Sequence, residues 1–419
     1  MSSDADTTPA EAEPPWLTRG VAGVGSASLL ADAGHEIPTA LLPSLLTSTL
    51  GAPAAVLGLI EGVSDALAGA ARFAGGALAD DPGRRRTVAV GGYTSTAVLA
   101  ALTGAATAVW QVGVLRAAAW TARGLRVPAR NALLADIVPS TAYGRAYGFE
   151  RMMDNLGAVI GPLLAIALVA LVGVRTAIGL SVIPGLLAAA AIIYAIRQTK
   201  IPARRDRIPL RIHIRPVLRG DLGRLMAGVA AFEVGNVAAT LLILRASTQL
   251  EATHGVQTAL ILALALYTLY NLAATLASLP AGRISDRLGA RGPLRVVTAG
   301  TGMFLAAYLA LSIDTTSVAQ LAVPFAAAGV AIGCAETAQH SAVAALAPAA
   351  IRGSAFGLLA TVQAFGNLAA SATAGILWTA VSPQAAFLYL AAWMLIALAA
   401  LVSATSHRQR SSSATDASS

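Results

Sequence analysis

Apolar residues in this chain come in long blocks separated by short polar turns. A helix that crosses a bilayer needs about 20 mostly apolar residues at 1.5 Å rise each. Measured against that length, the sequence divides into about twelve spans. They lie near 20–46, 53–78, 88–109, 112–136, 146–172, 175–196, 222–245, 257–281, 294–313, 317–345, 354–379 and 384–405. Spans 1, 4 and 5 are interrupted by charged residues. The one long polar stretch inside the chain, 197–220, is basic and Pro-punctuated and leaves six spans on either side.

Composition agrees with that pattern. Of 419 residues, 56% are apolar and only 12% charged, with a mean hydropathy of +0.68. A soluble chain carries about 25% charged residues, so a soluble enzyme, a disordered chain and a fibrous one are excluded. The net charge of +8 does not point to nucleic acid, because the basic residues sit in loops between apolar blocks. A single cysteine, Cys334, rules out a disulfide framework or a Cys-based metal site. The opening MSSDADTTPAEAEPPW is acidic and has no basic n-region, so no cleavable signal peptide is expected.

Loop charge predicts orientation. Arg84, Arg85, Arg86, Arg145, Arg283, Arg287, Arg291, Arg295, Arg352 and the 197–220 connection fall on one side, with only Arg175 and Arg245 on the other. The positive-inside rule then places both termini in the cytoplasm. The expected location is the cytoplasmic membrane of a bacterium, with disordered ends at 1–19 and 406–419.

The two halves echo each other. Gly76-Ala-Leu-Ala-Asp80-Asp-Pro-Gly83-Arg-Arg-Arg after span 2 matches Gly282-Arg-Ile-Ser-Asp286-Arg-Leu-Gly289 after span 8, about 206 residues later. Arg145-Ala-Tyr-Gly148-Phe matches Ser354-Ala-Phe-Gly357-Leu, about 209 later. The expected fold is an all-α membrane protein of twelve transmembrane helices in two pseudo-symmetric six-helix bundles, 20–196 and 221–405.

With these elements in place, the sequence resembles the major facilitator superfamily over essentially its whole length. Gly58-Leu-Ile-Glu-Gly62, Arg123-Gly-Leu-Arg126-Val-Pro-Ala-Arg130-Asn and Asp154-Asn-Leu-Gly-Ala-Val-Ile-Gly161-Pro162 resemble a prokaryotic branch of it. The element around Asp80 looks like that superfamily's signature loop, and the resemblance implies a cytoplasmic latch that breaks when the protein opens inward. Gly76 and Gly83 are expected to serve tight turns. Asp80 is expected to accept from amides at the start of span 11, near Ser354. Arg84 and Arg85 are expected to pair with Asp136. The second copy, around Gly282 and Asp286, lacks the arginine run and is expected to hold more weakly. The alternative is that Arg84 to Arg86 only set topology.

Ionisable groups at membrane depth cost about 2.5–3.5 kcal/mol on insertion scales and are functional candidates by default. Span 1 carries Asp32, His35 and Glu36, with the two acids one turn apart. Carboxylates close together in a low dielectric can exchange a proton near neutral pH, and histidine is a third group of suitable type. In span 4, Arg116, Arg123 and Arg130 are seven apart and form one stripe. It must face a cavity or the acids of spans 1, 2 and 5; the alternative for Arg126 or Arg130, nearest the inner end, is that it only snorkels to the interface. Glu61 and Asp65 form an i,i+4 pair on span 2; Glu150, Arg151, Asp154 and Asn155 lie on span 5. The second half offers Glu233, at the repeat position of Asp32, with Asn236, Glu336, Gln339 and His340.

Asp32, Glu36, His35, Asp154 and Glu233 are therefore candidates for proton coupling. Arg123, Arg126, Glu61, Asp65, Asn236 and Glu336 are candidates for the substrate cavity. The alternative for the acids is that they merely neutralise the arginines. No phosphate loop, His-Glu-x-x-His or nucleophile elbow occurs, and neither a cofactor nor a metal is expected. The expected protein is a monomeric secondary transporter of a small solute, coupled to protons. Export by antiport leads, and proton-coupled uptake of an anion is the alternative.

Overall fold

The computed structural model describes residues 15–198 and 213–416, and every regular element among them is a helix. In chain order these are α1 (Arg19–Ser44), α2 (Ala54–Ala79), α3 (Pro82–Leu102), α4 (Val109–Ile137), α5 (Tyr143–Leu180), α6 (Val182–Arg197) and the short α7 (Ile214–Val217). They continue with α8 (Gly220–Gly235), α9 (Ala239–His254), α10 (Val256–Arg287), α11 (Gly292–Ser312), α12 (Val318–Leu346), α13 (Arg352–Ala380) and α14 (Pro383–Asp416). Gly173 (φ 78°, ψ 167°) breaks the helical path inside α5, so the part before it forms one run and the part after it continues into α6. Most of the expected 197–220 connection and the expected terminal stretches 1–14 and 417–419 lie outside the described residues. The part of the expected tail from 406 to 416 is helical, because α14 meets neither Gly nor Pro after Pro383.

Nine helical runs among the described residues are long and apolar enough to cross a membrane. α1, α2 and α4 are not among them. These three carry Asp32, His35, Glu36, Glu61, Asp65 and the four arginines of span 4. Span 7, expected unbroken, is divided into α8 and α9 at 236–238. Backbone groups inside a bilayer must be satisfied internally, and the break meets that demand with neighbouring side chains. Asn367 Nδ2 donates to the Asn236 carbonyl at 2.8 Å, while Ala238 N donates to Ser371 Oγ at 2.9 Å. Val237 N donates to the Tyr308 hydroxyl at 3.3 Å.

α1 packs on α5 and α6, and α2 and α3 pack on α4; in the second half α10 and α11 pack on α12, and α14 on α8 and α11. The principal joins between these two sets are α2 with α13 and α5 with α10. Both joins are closest at the end of the molecule that carries Asp80 and Asp286, called here the signature end.

Glycines on one face of α2 register how this join changes along its length. At Gly76 an added Cβ would stand 2.7 Å from Gly357 Cα and 2.8 Å from the Gly353 carbonyl of α13. At Gly69 the nearest atoms of Phe365 and Ala364 would be at 3.3 and 3.4 Å, and at Gly62 and Gly58 nothing lies within 4 Å. α2 and α13 therefore touch backbone to backbone at the signature end and splay apart toward the other. The α5–α10 join repeats the tight contact at Gly144 and Gly282.

Overpacking a tight contact costs about 1–3 kcal/mol. Gly76→Val should lower the thermal midpoint of the purified protein by several degrees, while Gly62→Val should leave it within a degree or so. Equal melting shifts would contradict the splay.

Candidate functional site

α4 supplies the cations of the site. Arg116 reaches Glu61 on α2 at 3.0 Å and Thr39 on α1 at 3.2 Å. Arg123 reaches Asp32 on α1 at 3.1 Å and also donates to Nε2 of His35. Arg130 meets Glu150 at 2.8 Å and Asp154 at 3.3 Å, both on α5, and Ser28 at 2.9 Å. Each step along the stripe thus meets an acid from another helix.

Trp120 lies on the same stripe and ties it together. The Arg116 guanidinium sits 3.3 Å from its ring centre and the His35 ring 4.3 Å away. Its Nε1 donates to Asp65 at 2.8 Å. Glu61 and Asp65, expected to act as a pair, therefore serve separate partners, one an ion pair and the other an indole. Arg126 does not snorkel. It is buried, with its guanidinium 3.9 Å from the centre of the Tyr93 ring on α3. A cation that has a π-face within reach gains nothing by leaving for the interface. Glu36, like Asp32, faces α5, its Cβ packing where a Cβ of Gly161 would stand.

The second half repeats the design in neutral form. Gln339 and Gln363 stand about 209 residues after Arg130 and Asp154, and Gln363 Nε2 donates to Gln339 Oε1 at 2.8 Å. Gln339 Nε2 in turn donates to Glu233 Oε1 at 3.3 Å, and Asn236 Nδ2 to Glu233 Oε2 at 3.0 Å. Glu233 is buried and has amide donors only; among the described residues no cation lies within ion-pair distance of it. The repeat extends to the backbone behind each acid. A Cβ on Gly157 would stand 3.0 Å from Asp32 Cβ, and one on Gly366 2.5 Å from Glu233 Cβ.

Between the two sets of helices lies a cavity of about 450 Å³. Asp32, Asp65, Arg72, Arg123, Arg126, Arg130, Arg151 and Asp154 line it from the first half. Glu233, Asn236, Glu336, His340, Gln363, Asn367 and Ser371 line it from the second. Arg151 approaches Glu336 of α12 at 3.8 Å, a polar contact across the cavity. Glu61, His35 and Glu36 do not line it. Arg72 was not among the expected residues. It donates to the Ala360 carbonyl of α13 at 3.2 Å, and its Nε is buried without a partner. Its position seven residues after Asp65 places it on the same helix face, which was the available signal.

The signature end is closed by two carboxylates at helix N-termini, where free amides favour negative charge. Asp80 accepts from Ser354 N at 2.9 Å and from the Ser354 hydroxyl at the start of α13. His213, at the end of the basic connection, stands 3.4 Å from the same carboxylate. Asp286 accepts from Gly144 N at 2.7 Å, Arg145 N at 2.9 Å and Arg145 Nε at 2.8 Å at the start of α5. The second latch, expected to be weaker, is as fully bonded as the first, because Arg145 from the opposite half replaces the missing arginine run. Asp136 takes Arg85 as expected, together with Arg352 at 3.4 Å from the other half. Arg84 instead reaches Asp81 at 3.6 Å, its near neighbour in the turn. Gly76 lies inside α2 and serves the contact with α13, not a turn. Gly83 lies in the first turn of α3, its N–H donating to Asp81 at 2.9 Å, and Gly289 holds the positive φ of 66° in the second turn.

Comparison with known proteins gives consistent matches. The family model described as the Major Facilitator Superfamily matches residues 24–265 and 225–418. An uncharacterized MFS-type transporter of Methanocaldococcus jannaschii is 27% identical over 382 residues, covering 89% of this chain and 92% of that protein. The human organic anion transporter MFSD10 (TETRAN) superposes with a TM-score of 0.72 at 17% identity, over 93% of this chain and all of the other (100%). A bacterial homologue of the iron transporter ferroportin, in an outward-facing state, does so with a TM-score of 0.72 at 16% identity over the same shares, 93% and 100%.

Two equally bonded latches predict equal consequences. In a Cys334→Ser background, Asp80→Ala and Asp286→Ala should each raise, several-fold, the rate at which an impermeant maleimide applied from the signature face labels a cysteine placed at Ala364, which lines the cavity. Acceleration by Asp80→Ala alone would show that the second latch carries no load.

Proposed function

Because the chain belongs to the major facilitator superfamily, we propose that it is a secondary transporter exporting a small organic solute across the cytoplasmic membrane in exchange for protons. The twelve runs, with α8 and α9 counted as one, form two six-helix bundles that rock about the cavity. The observation that carries the reading is the pair of repeat-related buried acids on opposite walls of the cavity, Asp32 held by Arg123 and Glu233 held by amides alone.

The two acids divide the work. With both termini cytoplasmic, the splayed end faces outward, and a proton entering from that side reaches Asp32. Protonation removes the carboxylate's charge and frees Arg123, so the first half no longer needs its resting geometry. Glu233 takes up a proton without stranding a cation, because its partners are neutral. Inward opening then requires release of Asp80 from Ser354 and of Asp286 from Arg145. On the cytoplasmic side the acids lose their protons and the solute takes their place as a partner in the cavity. Arg72, whose buried Nε has no partner, favours the second reading, proton-coupled uptake of an anionic solute. There the anion replaces a protonated Asp32 as the partner of Arg123.

The test is a compound panel on reconstituted vesicles with a pH dye inside, read under both gradient directions. Antiport predicts proton movement opposite to the solute, and symport the same direction. Asp32→Asn should abolish proton-coupled flux while the protein stays folded in the membrane. Undiminished pH-driven flux in that variant would refute the role of Asp32.

A further inference from the structure

At the signature end, where α5 meets α10, a second cavity of about 450 Å³ is lined by Trp16, Thr141, Arg145, Arg283, Asp286 and Arg287. Three guanidinium groups face one carboxylate, and Asp286 is already engaged by Gly144 and Arg145. Arg283 and Arg287 are one turn apart on α10 and exposed, and among the described residues they form no ion pair or hydrogen bond. At the other latch the nearby arginines are consumed: Arg84 meets Asp81, and both Arg85 and Arg352 meet Asp136. Topology asks only that arginines lie at this end. It does not ask that they gather around a cavity, nor that this latch alone leave them unmatched.

The rim identifies the occupant. Leu17, Ile284 and Leu288 are exposed at 49%, 50% and 41% beside the arginines. Trp16 is half-buried and edge-on to Phe149, ring centres 6.3 Å apart. An apolar rim with an amphipathic ring around a cationic pocket fits a molecule with acyl chains and a phosphate, and a soluble anion has no use for the rim. We propose that this pocket binds the phosphate headgroup of an anionic phospholipid of the inner leaflet. The phosphate neutralises Arg283 and Arg287 within reach of Arg145, and so holds α10 against α5 and favours the closed signature end. The inference rests on the membrane orientation above but not on solute export.

The test is a binding measurement that needs no transport. Purified wild-type protein and an Arg283→Gln/Arg287→Gln variant are equilibrated with mixed phosphatidylglycerol and phosphatidylcholine, and the retained lipid is counted by native mass spectrometry. Two arginines near a headgroup predict a preference for phosphatidylglycerol of roughly thirtyfold, lost in the variant. The melting temperature of both proteins in zwitterionic detergent, expected to be equal, shows that the variant is folded. Absence of preference in the wild type, or its persistence in the variant, overturns the proposal. So does displacement of the lipid by inorganic phosphate at matched concentration, which would mark a site for soluble anions. A preference that emerges only after removal of residues 2–14, with Asp4, Asp6, Glu11 and Glu13, also overturns it, because the pocket would then belong to the chain's own acidic segment.

Discussion

A guanidinium group cannot face hydrocarbon, and α4 carries four of them. An unmatched charge buried in a low dielectric costs several kcal/mol, so α4 tolerates three of its arginines only against acids and the fourth, Arg126, against the Tyr93 ring. That requirement selects neighbours. Glu61 brings α2 to Arg116, Asp32 brings α1 to Arg123, and Glu150 with Asp154 brings α5 to Arg130. Removing one member of a buried pair typically costs about 3–5 kcal/mol, which makes the network a condition of the first half's existence as well as a candidate site. The second half solves the same packing problem with Gln339 and Gln363, two amides in place of an arginine and an aspartate. The arrangement around the two acids is similar, while the charge lies largely on one side.

The joins between the halves have a different logic. Glycines let α2 and α13, and α5 and α10, meet backbone to backbone at the signature end, and carboxylates at the starts of α13 and α5 fasten them there. These are contacts between the halves, whereas the α4 network pairs helices within one half. The proposed transport cycle uses exchangeable pairing between the halves, and inside the first half it exchanges the Arg123–Asp32 pair. At the break between α8 and α9, Asn367 and Ser371 hold backbone groups that a continuous helix would have satisfied itself.

The all-helical, apolar character of the chain and the acids that meet the α4 stripe were legible because each follows from a hydrophobic periodicity or a charge balance that a bilayer imposes. Asp80 at the start of α13 followed from helix-end electrostatics. The failures lie where three-dimensional neighbours decide. Arg126 found the Tyr93 ring, and Glu61 and Asp65 were separated by Trp120; no spacing on a single helix encodes these choices, whereas Arg84 took Asp81 three residues before it in the same turn. The interruption at 236–238 was hidden because Gly235-Asn-Val-Ala sits in an apolar block, and the side chains that stabilise it come from α11 and α13. Arg72 was readable from its seven-residue step after Asp65. The strength of the second latch was misjudged because its arginine, Arg145, comes from the other half of the chain.

The account turns on one claim, that the charged groups line an aqueous cavity open at one end and clamped at the other. In a Cys334→Ser background, single cysteines at Ser371 and Asn367 can be probed with an impermeant maleimide applied separately to each face of oriented vesicles. Labelling from the face opposite the signature loops, and little from the signature face, is the predicted result. Labelling only by a lipid-soluble reagent, or equally from both faces, would contradict the claim.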